Sequence, residues 1–350
     1  MTAAPEPVRW GIAGFGWVAR DFTLPAMLAA GHRLVAVCDS DPLAREHARS
    51  CGAEAGSGIT SLADDPAVDA VYVATPNHLH RPMVEALARA GKAILCEKPL
   101  AHTLPDAAAM IEAVERAGIL YGTAFDQRHH PAHIALRDAV ADNRVGRVTA
   151  LRIVYACWLG QDWAAGSGRD NWRVDPGKAG GGALMDLAPH GLDLVDFLLG
   201  EPIVRIAALT QRRVQDYAVD DGAMLVGATR SGVLVEIHVA YNCPEALPRR
   251  RLEVIGTRGQ IAAENTMGQD PGGTLTFTDG ATGASSPVAF DVALSPFLNQ
   301  VRAFAHALRT GDCAAFSGAR DLATMRLLDR AYRSAAEALI REPETAGSRP

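Results

Sequence analysis

Apolar positions along the chain follow one rhythm up to about residue 125 and another after about residue 145. In the first stretch, short apolar runs alternate with segments of helical period. VRWGIA (8–13), RLVAVCD (33–39), DAVYVAT (69–75), AILCE (93–97) and ILYGTAF (119–125) are brief and rich in branched residues, the pattern of strands buried on both faces. RPMVEALARAG (81–91) and PDAAAMIEAVERAG (105–118) repeat apolar residues at helical spacing between them. The second of these opens with Thr103, carries Asp106 three positions later and closes on Gly118, a capped helix in outline. Pro25 interrupts the first helical segment, so that helix is expected to break near Thr23 and restart. Strands alternating with helices predict a parallel sheet covered on both sides.

The later runs are longer and lack helical crossovers. RVTALRIVYAC (147–157), PIVRIAALTQRRV (202–214), GAMLVGAT (222–229), GVLVEIHVAY (232–241) and RRLEVIGTRGQIAAE (250–264) each predict one strand, with a hairpin turn at 230–232. They imply a mostly antiparallel sheet. A helix over 183–200, ended by Gly200, interrupts the series, and two more near 295–310 and 318–340 close it. The polar end, EPETAGSRP, is expected to fray. The fold class that follows is α/β: an amino-terminal domain over 1–125 built on a parallel sheet and a carboxy-terminal α/β domain over 126–350 with an open, predominantly antiparallel sheet.

Composition narrows the possible roles. The 350 residues are 48% hydrophobic, enough for a sizeable core, and a net charge of −6 spread along the chain leaves no footprint for nucleic acid. MTAAPEPVRW lacks the basic and apolar regions of a signal peptide, and no run approaches the roughly 18 apolar residues of a membrane span. The six cysteines are scattered, without C-x-x-C pairs, so a cytoplasmic location is expected and no membrane partner.

Three stretches carry candidate chemistry. In GIAGFGWVA (11–19), Gly14-Phe15-Gly16-Trp17-Val18-Ala19 matches G-x-G-x-x-G/A between a strand and a helix, where a tight turn lets backbone amides meet a pyrophosphate. Asp39 ends the next strand 20 positions after Ala19, placed to accept hydrogen bonds from ribose hydroxyls and to repel a 2′-phosphate; NAD is expected rather than NADP. ATPNHLH (74–80) follows the third strand, with Thr75, Pro76, Asn77 and His80 lining the presumed crevice. His78 with His80 makes a poor metal pair, and no metal is expected; His129, His130 and His133 are expected in a loop or on a helix surface. CEKPL (96–100) puts Glu97 and Lys98 at a strand end, with Pro99 steering Lys98 away from helical angles. In GGGALMDLAPHGLDL (180–194), Asp186 and His190 share a helix face, with Asp193 three further on; the carboxylate is expected to orient the imidazole and raise its basicity, unless this is an ordinary surface pair. The glycines ahead of it let backbone or ligand approach the helix start.

Together GIAGFGWVA, CEKPL and WRVDPGKAGGGALMDLAPHGLDL resemble, in order and spacing over nearly the whole chain, the Gfo/Idh/MocA family of nucleotide-dependent sugar and polyol oxidoreductases. The resemblance implies an amino-terminal Rossmann domain and a homodimer or homotetramer formed through the second sheet. It implies that Lys98 binds the reacting oxygen, that Glu97 lies by the nicotinamide, and that Asp186 and His190 bind substrate and exchange its proton. Trp172-Arg173 would line the substrate, Gln127 the cofactor and Arg128 the substrate, although Asp126 stands where many members carry Asn. Trp158, Trp163 and Trp172 in the long loop 158–182 offer flat faces for a sugar ring. The implied reaction moves a hydride between NAD and a secondary alcohol or ketone of a sugar, inositol or related polyol. Two alternatives stay open: glycoside cleavage through transient oxidation, and a non-catalytic NAD-binding sensor.

Overall fold

A computed structural model of the chain describes residues 6–160, 163 and 171–339. The frayed end expected beyond 341 and most of the loop 161–170 lie outside the described residues.

The first sheet is built from β1 (Arg9–Ala13), β2 (Arg33–Cys38), β3 (Glu54–Gly56), β4 (Ala70–Val73), β5 (Ala93–Cys96) and β6 (Tyr121–Thr123). All of its pairings are parallel, in the order β3-β2-β1-β4-β5-β6. This is the doubly wound order, whose strand ends open onto a ligand crevice. The residues of β4 and β5 are all buried, as their continuous apolar runs require. Strand β3 escaped the sequence reading because three residues, EAG, carry no period. After β1 the chain winds a short π-helical stretch, Ala19–Thr23, and continues as α1 (Leu24–Ala29) with Pro25 in its first turn; the helix expected to break near Thr23 instead stays helical there, the wider π turn accommodating the proline.

Helices α2 (Pro42–Ser50), α3 (Thr60–Ala63), α4 (Asn77–Arg89) and α5 (Leu104–Ala117) make the crossovers. The Thr103 hydroxyl caps α5 by accepting from the Asp106 amide at 3.3 Å, and Gly118 closes it with φ 63°. Beyond them lie α6 (Pro131–Ala141), α7 (Pro176–Ala179) and α8 (Ala183–Leu199), the last closed by Gly200.

The second sheet holds β7 (Val148–Ala156), β8 (Ile203–Gln211), β9 (Gly222–Thr229), β10 (Leu234–Ala240), β11 (Arg250–Gly256), β12 (Gly259–Glu264), β13 (Thr274–Asp279) and β14 (Ser285–Pro287), in the order β14-β13-β12-β11-β7-β10-β9-β8. Every pair is antiparallel except β7 with β10, which lie side by side in parallel. The single strand expected over 250–264 is two: Thr257 and Arg258 turn the chain between the paired Gly256 and Gly259. Helix α8 packs across one face of this sheet, burying thirteen of its seventeen residues, and α10 (Gly318–Leu339) lies beside it. Each such Leu contributes on the order of 1.5–3 kcal/mol. Helix α9 (Pro296–Thr310) runs back to the first sheet, where Phe297, Val301 and Phe304 join the core of Trp10, Ile12 and Met27.

Candidate active site

The segments after β4 and β5, the first turns of α8, Tyr155 of β7, Tyr241 just after β10 and Arg250 of β11 enclose a cavity of about 240 Å³. Its geometry starts with the turn after β1. Gly14 has φ +87°, and a Cβ there would lie 2.7 Å from the Ala74 carbonyl oxygen, so only glycine fits. Gly16 faces open space, and the Phe15 amide donates to Asp39 Oδ2 at 2.7 Å. The second Asp39 oxygen accepts from the Asp41 amide at 2.8 Å. A clear approach at Gly16, beside a carboxylate fixed at the end of β2, fits a dinucleotide. Trp17 continues from this turn into the cavity wall and meets Trp163 edge to face at 5.8 Å.

The loop after β4 forms the next wall. Thr75 and Asn77 line the cavity, Pro76 precedes α4, and the Asn77 amide donates to the Ala179 carbonyl at 2.9 Å. His80 is buried with its ring nitrogens 3.0 Å from the Thr75 carbonyl and 3.1 Å from that of Pro99; burial lowers its pKa to about 4. It ties this loop to the Lys98–Pro99 turn, whose peptide bond is cis. Among the described residues there is no cluster of metal-binding side chains. His130 and His133, expected in a loop or on a helix surface, are instead buried: the His133 nitrogens meet the Gln127 carbonyl and the Thr266 hydroxyl at 2.9 Å each. Half-buried His129 stacks on Phe316.

Lys98, at the end of β5, reaches across to α8. Its ammonium donates to Asp186 Oδ1 at 2.6 Å and to the Asp186 carbonyl at 3.1 Å, while the Tyr241 hydroxyl donates to Asp186 Oδ2 at 2.7 Å. Burial works to raise the Asp186 pKa, but Lys98, with Arg173 and Tyr241, outweighs it and holds the carboxyl well below its usual range. The start of α8 is held by Asp220, which accepts from the amides of Gly182 and Leu184 at 2.9 and 2.8 Å. Backbone approaches two of the glycines ahead of it: a Cβ on Gly180 would strike the His102 carbonyl, and one on Gly182 the Asp220 carbonyl.

The carboxylate beside His190 is not the expected one. Asp186 is engaged by Lys98 and Tyr241, and the buried His190 Nδ1 lies instead 3.5 Å from Asp126 Oδ1. Burial and then the Lys98 ammonium push the imidazole pKa well below its ordinary value, so its basicity is lowered rather than raised. The rings of Tyr155 and Phe125 flank it at 5.4 and 6.4 Å. Asp126 is itself buried, and burial together with the Glu97 carboxylate raises its pKa to about 7. Glu97 accepts from the Tyr72 hydroxyl and from the Lys98 amide, and burial raises its carboxyl as well.

Arg173 and Trp172 also line the cavity, with the guanidinium 4.4 Å from the Trp172 ring centre and 4.7 Å from that of Trp163. Trp158 is on the lining and 45% exposed. Two expected residues point elsewhere. Arg128 is buried beneath α8, donating to Asp193 Oδ1 at 2.7 Å and to Asp196 Oδ2 at 3.2 Å, which takes both Arg128 and Asp193 away from the cavity. Gln127 is fully buried, donating to Asp126 and to the Gly268 carbonyl, so it braces Asp126 rather than facing the crevice. Tyr241, Tyr72 and Tyr155 were missed by sequence reasoning. Each ends or interrupts an apolar strand where its ring reads as core, and its partner is 25 or more positions away.

Residues 8–125 match the family model described as "Oxidoreductase family, NAD-binding Rossmann fold", and residues 133–262 match the "GFO/IDH/MocA C-terminal domain". Over 328 residues, 91% of this chain and 95% of the relative, the sequence is 34% identical to 1,5-anhydro-D-fructose reductase of Ensifer adhaerens. It is 31% identical to inositol 2-dehydrogenase of Rhizobium meliloti (strain 1021) over 341 residues, 94% and 97% of the two chains. The solved aldose-aldose oxidoreductase of Caulobacter crescentus superposes with a TM-score of 0.85 at 27% identity, covering 95% of this chain and 98% of the other. The chain belongs to the Gfo/Idh/MocA family of NAD-binding oxidoreductases. Among the described residues no helix is long and apolar enough to cross a membrane.

Proposed function

We propose that the protein moves a hydride between NAD and a secondary hydroxyl or ketone of a sugar, inositol or related polyol, with Lys98 and His190 at the reacting oxygen. The observation that carries this is the Lys98–Asp186 pair meeting His190 in one cavity next to the Gly14–Trp17 turn. When bound, the dinucleotide supplies the hydride acceptor or donor. The turn from Gly14 to Trp17, with Asp39, Thr75, Pro76, Asn77, His80 and Glu97, would hold it. Asp39 favours NAD over NADP, because a 2′-phosphate would meet a carboxylate already fixed by two amides. Lys98, fixed by Asp186, holds positive charge where alkoxide character develops. His190, kept neutral by burial, has a free nitrogen to take the hydroxyl proton, and Asp126 faces its other side. Trp158, Trp163 and Trp172 offer apolar faces to the ring of the substrate. Two of the relatives are named for a reaction on an anhydrosugar ketone and on inositol, which supports this substrate class.

The oligomer proposed is a homodimer or homotetramer through the uncovered face of the second sheet. Leu209, Met224, Val226 and Leu234 stand on that face at 64, 51, 59 and 62% exposure, an apolar patch that a second copy would cover. The division into domains at about residue 125 and the cytoplasmic location are proposed with it. A panel of inositols, aldoses, anhydrosugars and keto-sugars with NAD or NADH tests the reaction by nicotinamide absorbance. Turnover of at least one is expected, and no turnover across the panel would favour the sensor.

A further inference from the structure

The cavity holds an arginine that the proposed chemistry does not use. Lys98 is paired with Asp186, and Arg249 lies 3.4 Å from Glu245. Glu97 and Asp126 are buried carboxyls that burial drives toward their neutral forms. Arg250 is different. It opens β11 directly opposite Tyr155 of β7, so its side chain leaves the sheet on the face that carries the Tyr155 ring over His190. Its guanidinium lies against Gly268, where any Cβ would collide with it. Nε is buried and has no hydrogen-bond partner among the described residues, and Arg250 is one of the residues that line the cavity.

A guanidinium stays charged at every pH of interest, and a buried donor without a partner costs free energy until something accepts from it. The cofactor's pyrophosphate is an unsuitable acceptor, because the turn that would cradle it lies after β1 in the other sheet. The neutral hydroxyls of an ordinary sugar accept weakly, whereas an oxyanion matches the guanidinium fork in charge and in shape. With Asp186 countered by Lys98 and the stacked Arg173, and Glu245 by Arg249, Arg250 adds positive charge to the substrate side of the cavity.

We propose that Arg250 receives an anionic substituent of the substrate, a carboxylate or a phosphate carried by the sugar or polyol, and so selects acidic substrates over their neutral counterparts. This rests on the oxidoreductase reading given above and names the substrate class of that same cavity. The substituent lies toward β11, beside the carbon that is presented to Lys98 and His190.

The test is calorimetric titration of the full chain loaded with NADH, using matched pairs: a hexuronate against the hexose, a hexose phosphate against the hexose, and an inositol phosphate against inositol. The wild type, Arg250→Leu and Arg250→Lys are compared. In the wild type the acidic member of at least one pair should bind about 10- to 100-fold more tightly than its neutral partner. The two kinds of acid show whether carboxylate or phosphate is preferred. Arg250→Leu should erase the difference and Arg250→Lys should keep part of it, with the NADH Kd unchanged in both as the check that the fold is intact. Equal binding of acid and neutral partner in the wild type, no binding of any acid, or a difference that survives in Arg250→Leu would each overturn the proposal. Failure of the wild type to bind NADH would remove the oxidoreductase reading itself.

Discussion

Replacing Lys98 by methionine keeps the length of the side chain and removes only the ammonium that contacts Asp186. At 2.6 Å, with an effective dielectric near 20, the gross attraction of this pair is about 6 kcal/mol. Desolvation offsets much of that. Because the two side chains keep 16 and 28% of their exposure, the net loss of stability in Lys98→Met should be on the order of 1–3 kcal/mol. The pH dependence has a definite sign. Asp186 is depressed in the folded protein, so its contribution is complete above the ordinary carboxylate range and disappears as pH falls through the lower folded value. The stability gap between wild type and variant should therefore be widest at neutral pH and narrow toward about pH 3, as urea melts would show. Turnover should fall much further than stability. Losing one preorganised charge at a developing alkoxide costs roughly 10²- to 10³-fold in kcat. NADH affinity, measured by fluorescence titration, should change no more than a few-fold. A folded Lys98→Met with kcat within about tenfold of wild type would show that the ion pair only braces α8 against β5, and the assignment of Lys98 to the chemistry would be wrong.

Three further outcomes follow from the same geometry. In Asp126→Asn the rise of substrate oxidation through an apparent pKa near 7 should flatten, since an amide cannot ionise opposite His190. Asp126 is raised on folding, so the wild type loses stability as pH climbs from about 4 to about 7, and the asparagine variant should not. Asp39→Ala should lower the ratio of kcat/KM for NAD over NADP by about 10- to 100-fold in steady-state assays. An unchanged ratio would remove Asp39 from cofactor selection. Leu209→Glu combined with Val226→Glu should shift sedimentation toward the monomer, because both sit on the uncovered sheet face; an unchanged profile would move the interface elsewhere.

Much of the architecture could be read from local pattern because its residues act locally. The runs at 93–97 and 69–75 are apolar on both faces, as only a covered parallel strand requires, and Thr103 and Gly118 mark a helix by capping chemistry alone. Short or paired elements were harder. EAG at 54–56 has no period, and the two-residue turn at Thr257-Arg258 contains neither of the usual turn dipeptides, so two strands read as one. At the site, the sequence brought Lys98, Asp186 and His190 to notice through spacing and family likeness. It could not show which acid serves which base: a four-residue spacing on one helix paired Asp186 with His190, whereas Lys98, 88 positions away, claims the carboxylate. The same limit applies to Arg128, whose partners Asp193 and Asp196 are 65 and 68 positions distant, and to the buried histidines at 130 and 133. Charged and imidazole side chains read as surface or site until a distant partner is known.

Hydride transfer to the nicotinamide can be followed with an isotope. A polyol or sugar found to be turned over would be labelled with deuterium at the carbon being oxidised and incubated with NAD and the protein, and the nicotinamide product analysed by mass spectrometry. Deuterium is expected in the reduced nicotinamide at the rate of product formation, with that transfer lost by orders of magnitude in His190→Ala while NADH still binds. Product formed without deuterium reaching the nicotinamide, or full transfer in His190→Ala, would contradict the proposed reaction.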